Sequence, residues 1–197
     1  MTTSPTRLTK AARREQLLDA ALGIVRAQGA DALTLVTLAE AAGVSRPIAY
    51  DHFGTRPGLL LALYRRLDER HRQALDEALK AAPANAEAIA RVLSTAYFAC
   101  ATDVPEFTAV SAALKGDPEV ASLQQEMLDA YAEVMGTALA PYSGLAPEAL
   151  RLRCLGILGA AEAIATELNR GRTTPEQAVG ALADLITAGA GSGPGCP

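Results

Sequence analysis

The triplet hydroxyl–Arg–Pro occurs twice in close succession, as Ser45-Arg46-Pro47 and Thr55-Arg56-Pro57. Ser or Thr at an N-cap accepts a bond from a free backbone N–H. Proline fits the first turn because its missing N–H would have had no intrahelical partner there. Each triplet therefore reads as a helix beginning, with Gly54 ending the short helix between them. The arginines are out of place, because the positive end of a helix dipole disfavours cations and attracts anions. They make sense if something negative lies opposite both turns; the plainer alternative is that both extend into solvent.

The flanking residues extend the helical pattern. Leu17, Leu18, Ala21, Leu22 and Val25 recur at helical spacing and Gly29 closes that segment. Thr34 caps a short helix carrying Leu35, Leu38 and Ala39, which Gly43 ends. Thr55 begins a long helix reaching about Ala82, before Pro83 and Asn85. Further helices are predicted at about 86–101, 105–115, 117–140, 147–169 and 175–189. Asp117-Pro118 marks a helix start, "PYSGLAP" at 141–147 a break, and "NRGRTTP" separates the last two helices. With β-branched runs absent, the chain is expected to be all-α.

Charge is divided unevenly. Residues 1–66 hold nine Lys/Arg against five Asp/Glu, net +4, and the remainder nine against seventeen, net −8. A basic head on an acidic body suits a local anion-binding surface rather than a protein that coats nucleic acid. The N-terminal stretch has no apolar signal region, and no apolar run is long enough to span a membrane. Three distant cysteines, Cys100, Cys154 and Cys196, suggest neither a disulfide framework nor a zinc site and suit a reduced cytoplasm.

A short helix, the "AAGVS" turn and a second short helix form a helix-turn-helix pattern, with Ala39 between the helices, Gly43 in the turn and Val44 plugging the core. The stretch 17–64 resembles the DNA-binding domain of TetR-family (tetracycline-repressor-like) transcriptional regulators. The resemblance rests on Thr34-Leu35, Leu38-Ala39, Ala41-Ala42-Gly43-Val44-Ser45, Tyr50 and His52-Phe53. It implies a three-helix DNA-binding domain over 8–55, a helical ligand-binding and dimerisation domain over 56–190, and disordered tails at 1–7 and 191–197. The long helix after Thr55 joins the two domains.

The same resemblance implies roles for individual residues. Ser45, Arg46, Pro47 and Ile48 lead the recognition helix; arginine suits a guanine edge and Ile48 a thymine methyl. Tyr50, His52 and Arg56 would donate to phosphates. Thr34 and Thr37 bring the second helix to the backbone, and Lys10, Arg13 and Arg14 add phosphate contacts that position without specifying sequence. The implied partners are a pseudo-palindromic double-stranded DNA operator, a second copy of the chain and a small, mostly apolar effector that releases the operator. Tyr97, Phe98, Phe107, Met127, Tyr131, Met135 and Glu162 are the candidate effector contacts. Leu152, Leu155, Gly156, Gly159, Ala160, Ala163, Leu182 and Leu185 are the candidate dimer contacts.

Catalysis finds little support, and no cofactor or metal is expected. The histidines are only His52 and His71, no Glu-x-x-His occurs, and Asp68-x-x-His71 is a single pair on a helix face. Glycine-rich phosphate loops, Gly-x-Ser-x-Gly and Cys-x-x-Cys are absent. The alternatives are a helical enzyme or a DNA-free adaptor retaining the fold.

Overall fold

The computed structural model describes residues 8–102, 105–114 and 118–188. They are all-helical: α1 (Lys10–Gln28), α2 (Leu35–Ala41), α3 (Arg46–Phe53), α4 (Arg56–Ala81), α5 (Ala86–Thr102), α6 (Pro105–Ala113), α7 (Pro118–Ser143), α8 (Pro147–Asn169) and α9 (Pro175–Thr187). A single 3-10 turn, Ala30–Ala32, lies between α1 and α2. The tails expected at 1–7 and 191–197 fall outside the described residues. The break expected from residue 141 begins later, because α7 continues through Pro141 to Ser143. Near the end of a helix a proline removes few bonds.

Two compact units divide inside α4. Among the described residues, one takes in the chain to Leu67 and 106–114; the other comprises 68–102, Pro105 and 118–188. In the first, Leu17, Leu18 and Ala21 of α1, Leu38 and Ala39 of α2, Ala49 and Phe53 of α3, and Leu59, Leu60 and Leu63 of α4 are buried. Val44, expected as a core plug, is only half-buried. Its N–H donates to the Ala39 carbonyl at 3.0 Å, so it joins the turn through its backbone. Gly43, with φ +64, supplies the left-handed residue that this turn requires.

The α3–α4 corner is tighter still. The Thr55 N–H donates to the Phe53 carbonyl at 2.7 Å, and the Gly58 N–H donates to the Thr55 hydroxyl at 3.1 Å. A Cβ at residue 58 would stand 2.4 Å from the Phe53 carbonyl oxygen. Two ion pairs also fasten α4 to α1: Arg66, with a side chain only 10% exposed, meets Glu15 at 3.2 Å and also Asp19. From α6, the buried Glu106 pairs with Arg26 of α1. Burial, the largest single influence, would raise the Glu106 carboxyl, but the bond to Arg26, a backbone bond and the Arg26 charge together hold the pKa below the ordinary value.

The second unit packs α5, α7, α8 and α9 with the later part of α4 around Leu75, Leu93, Phe98, Met135, Cys154, Leu158 and Leu182. Within it the Tyr131 hydroxyl donates to the Leu93 carbonyl at 2.8 Å. Its ring stacks near His71 with centroids 6.4 Å apart. Burial lowers the His71 pKa, against the opposing charge of Asp68.

Two consequences are measurable. Gly58→Ala must displace backbone rather than a flexible side-chain tip, and should cost about 1–3 kcal/mol in thermal or denaturant unfolding. For His71, the unfolded chain binds protons more readily than the folded one. Stability should therefore fall as the pH drops below about 6.5, and His71→Phe should flatten that part of a melting-temperature profile.

Candidate nucleic-acid interface

Helix α3 turns Ala49 and Phe53 inward and leaves Arg46, Pro47, Ile48, Tyr50 and Asp51 exposed. Ile48 is 36% and Tyr50 50% exposed, so the outer face of α3 carries apolar as well as polar groups. The inner residues sit at i and i+4, so a single buried stripe anchors the helix and the rest of its surface faces out. Ser45 occupies the N-cap position, but its hydroxyl makes no capping bond. The expected cap is thus only positional, and the hydroxyl is not committed to the helix start.

The two arginine triplets have different fates. Arg46 is 64% exposed and stands 3.5 Å from Glu40. Arg56 folds back: it donates to the carbonyls of Leu33 at 2.9 Å and Ala30 at 3.0 Å. It also lies 3.6 Å from Asp31. Its guanidinium braces the 3-10 turn against the start of α4, where a phosphate grip was expected. Arg14 is engaged in a similar way, donating to the His52 carbonyl at 3.0 Å and lying over the Phe53 ring at 4.9 Å.

The remaining candidates gather around the same helix ends. Lys10 is 74% exposed and lies 3.6 Å from Asp51. Arg13 bonds Gln16 at 2.5 Å on the surface of α1. Thr34 and Thr37 form a reciprocal capping box at the start of α2. The Thr37 hydroxyl also donates to the Ala32 carbonyl at 2.8 Å. Both hydroxyls thus serve the helix cap. His52 is half-buried; burial lowers its pKa, Asp51 opposes this, and Lys10, Arg14 and Arg13 add to the lowering. At neutral pH its imidazole is therefore uncharged, able to donate one N–H but not to act as a cation. Sequence reasoning passed over Glu40, whose signal was a carboxylate six residues before Arg46 with only a turn between.

The other predicted sites lie in the second unit, with one exception. Tyr97, Phe98, Tyr131 and Met135 belong to one hydrophobic cluster. Tyr97 meets Phe98 at 5.4 Å and Tyr131 at 6.0 Å between ring centroids. They pack against one another. Met127 is half-buried and Glu162 is exposed on α8. The exception is Phe107, whose side chain lies outside the described residues. A void of about 10 Å³ does exist, lined by Leu139, Tyr142, Leu150, Arg153, Cys154 and Ile186 among others. That volume suits about one water molecule.

On the last two helices, Leu152 is 59% and Leu185 46% exposed, whereas Leu182 is 2% exposed inside the unit's own core. Gly156, Gly159 and Ala163 are exposed, and Leu155 and Ala160 are half-buried. Leu182 falls with Ala178 and Ile186 on the inward stripe of α9. Among the described residues no helix is long and apolar enough to cross a membrane. No three His, Cys, Asp or Glu side chains gather there as metal ligands would.

A short helix held from beneath, with a polar and apolar outer face and cations at its borders, defines a helix-turn-helix protein. The family model "Bacterial regulatory proteins, tetR family" matches residues 17–63. The HTH-type transcriptional regulator BetI of Rhizobium meliloti (strain 1021) is 35% identical over 85 residues, spanning 43% of this chain and 42% of that protein. The chain thus matches less than half the length of that curated relative. A TetR-family transcriptional regulator from Pectobacterium atrosepticum shares the fold with a TM-score of 0.72 and 24% identity, covering 94% of this chain and 97% of that one. The multidrug binding protein EbrR, solved with imidazole, gives a TM-score of 0.64 and 22% identity, covering 91% and 97%. Residues 17–63 thus carry the match to the tetR-family regulators, and the chain as a whole shares the fold of the solved TetR-family structure.

The brace formed by Arg56 can be tested directly. Arg56→Met removes the donor to the Leu33 carbonyl and one of the two donors to the Ala30 carbonyl, which keeps the Leu33 N–H at 3.2 Å, and should lower unfolding stability by about 1–3 kcal/mol. Arg56→Lys, lacking the fork, should recover only part of it. An unchanged melting temperature would release Arg56 from this role.

Proposed function

We propose that the chain is a sequence-specific DNA-binding regulator in which α3 enters the major groove. One observation carries this reading: Arg46, Ile48 and Tyr50 stand outward on a helix whose Ala49 and Phe53 are fixed in the core. Helix-turn-helix proteins place the leading residues of the second helix on base edges. Arg46 suits the O6 and N7 of guanine, and Ile48 a thymine methyl. Tyr50, the uncommitted Ser45 hydroxyl and the neutral His52 would donate to the backbone, with Lys10 and Arg13 adding charge. Arg14 and Arg56 would act indirectly, by fixing the ends of α3 and α4.

The regulator would act as a homodimer, pairing the exposed Leu152, Leu185 and the small residues Gly156, Gly159 and Ala163 with those of a second copy. Two recognition helices held about 34–36 Å apart would meet successive turns of one face of the duplex. A small effector bound in the second unit would repress or release by favouring one separation over another. EbrR, a fold neighbour, is described as a multidrug binding protein and holds imidazole; a small-molecule role for the second unit is in keeping with that scaffold.

The test is selection of a duplex from a random-sequence pool by the full chain, followed by footprinting. The expected product is a pseudo-palindrome with half-sites one helical turn apart. Arg46→Ala should relax one position in each half-site and cost about 1–3 kcal/mol of discrimination there. Tyr50→Phe should weaken all sequences alike. Failure to enrich any duplex would end this reading.

A further inference from the structure

On the reading of α3 as the DNA-reading helix, we propose that Glu40 and Asp51 are internal counter-ions that set sequence discrimination. They hold Arg46 and Lys10 back from indiscriminate attachment to phosphate. Four charges are involved, and each sits at the end of its own helix where the dipole disfavours it. Glu40 lies in the last turn of α2 and Asp51 in the last turn of α3, both carboxylates at negative ends. Arg46 is the first residue of α3 and Lys10 the first of α1, both cations at positive ends. They meet as two pairs, Arg46–Glu40 at 3.5 Å and Lys10–Asp51 at 3.6 Å.

Stability does not account for this arrangement. All four side chains are between 64% and 74% exposed, and ion pairs so open to water add little to folding. A pattern in which local preference is broken four times, always at the borders of one exposed surface, points to function. One pair flanks each end of α3, with Pro47, Ile48 and Tyr50 exposed between them.

On a duplex each cation exchanges its carboxylate for a phosphate or a base. Glu40 and Asp51 are then left uncompensated beside a polyanion. On an arbitrary sequence nothing offsets that repulsion. On a matching one, Arg46 gains two bonds to guanine, and a carboxylate near the groove can accept from the amine of cytosine. The acids thus weaken binding everywhere and the correct sequence restores it, which widens the gap between right and wrong sites. Glu40 acts through Arg46, as a positioning residue.

The experiment uses full-length wild type, Glu40→Gln, Asp51→Asn and the double variant. Each is titrated by fluorescence anisotropy against the duplex that wild type selects and against a scrambled duplex of equal length, across a salt series. On the scrambled duplex, affinity should rise by up to about fivefold per substitution. The slope of log affinity against log salt should steepen by about 0.9 for each freed cation. The ratio of selected to scrambled affinity should fall. Unchanged slope and ratio with wild-type binding intact would overturn the counter-ion role and leave the DNA reading standing. Loss of melting temperature with unchanged discrimination would make the pairs braces of the fold and overturn it equally. If wild type binds no duplex, both readings fall together.

Discussion

The carbonyl of Phe53 is the narrowest point of the first unit. It ends α3, accepts the Thr55 N–H, and leaves no room for a side-chain carbon at residue 58. Because α4 begins against this oxygen, the direction in which α3 leaves the body is set by backbone contact rather than by adjustable side chains. Arg14 reinforces the corner from α1 by bonding the adjacent His52 carbonyl and covering the Phe53 ring. A helix supported in this way presents Arg46, Ile48 and Tyr50 in one fixed orientation. Pre-set geometry of this kind lowers the ordering cost of binding.

The helix starts and stops were legible in the sequence because they are local matters. A hydroxyl, a proline and a glycine act on backbone groups within a few residues, and the structure places α2, α3 and α4 where Thr34, Ser45 and Thr55 put them. The family resemblance was legible for the same reason, since its residues lie close together in one motif. The fates of the two arginines were not. Arg46 and Arg56 share the same neighbours in sequence, yet Arg56 meets carbonyls supplied by residues 23 and 26 positions earlier. Leu182 and Leu185 show a related limit. Periodicity marks both as apolar, but which one faces the protein's own core depends on how α9 is rotated against its neighbours. The aromatic residues of the second unit were legible as a group, while their mutual packing was not.

The outer face of α3 is small, and charge does little to extend it. The head carries a modest surplus of cations, and several of them are already engaged with protein groups: Arg14 and Arg56 with carbonyls, Arg26 and Arg66 with carboxylates. Among the described residues, the cations bordering α3, Arg46 and Lys10, each stand beside a carboxylate. A surface with so few uncommitted cations gains little from bulk attraction and must rely on the fit of individual side chains.

The void beside Cys154 has room for about one water molecule. A guest larger than that must part aromatic and aliphatic side chains that already satisfy one another. Occupancy then depends on how often the unit visits an expanded state on its own. Were that state present in one molecule of a hundred, a guest would bind about a hundredfold more weakly than its contacts alone allow. Any substitution that made that state commoner would tighten the hold on such a guest by the same factor, without adding a contact to it.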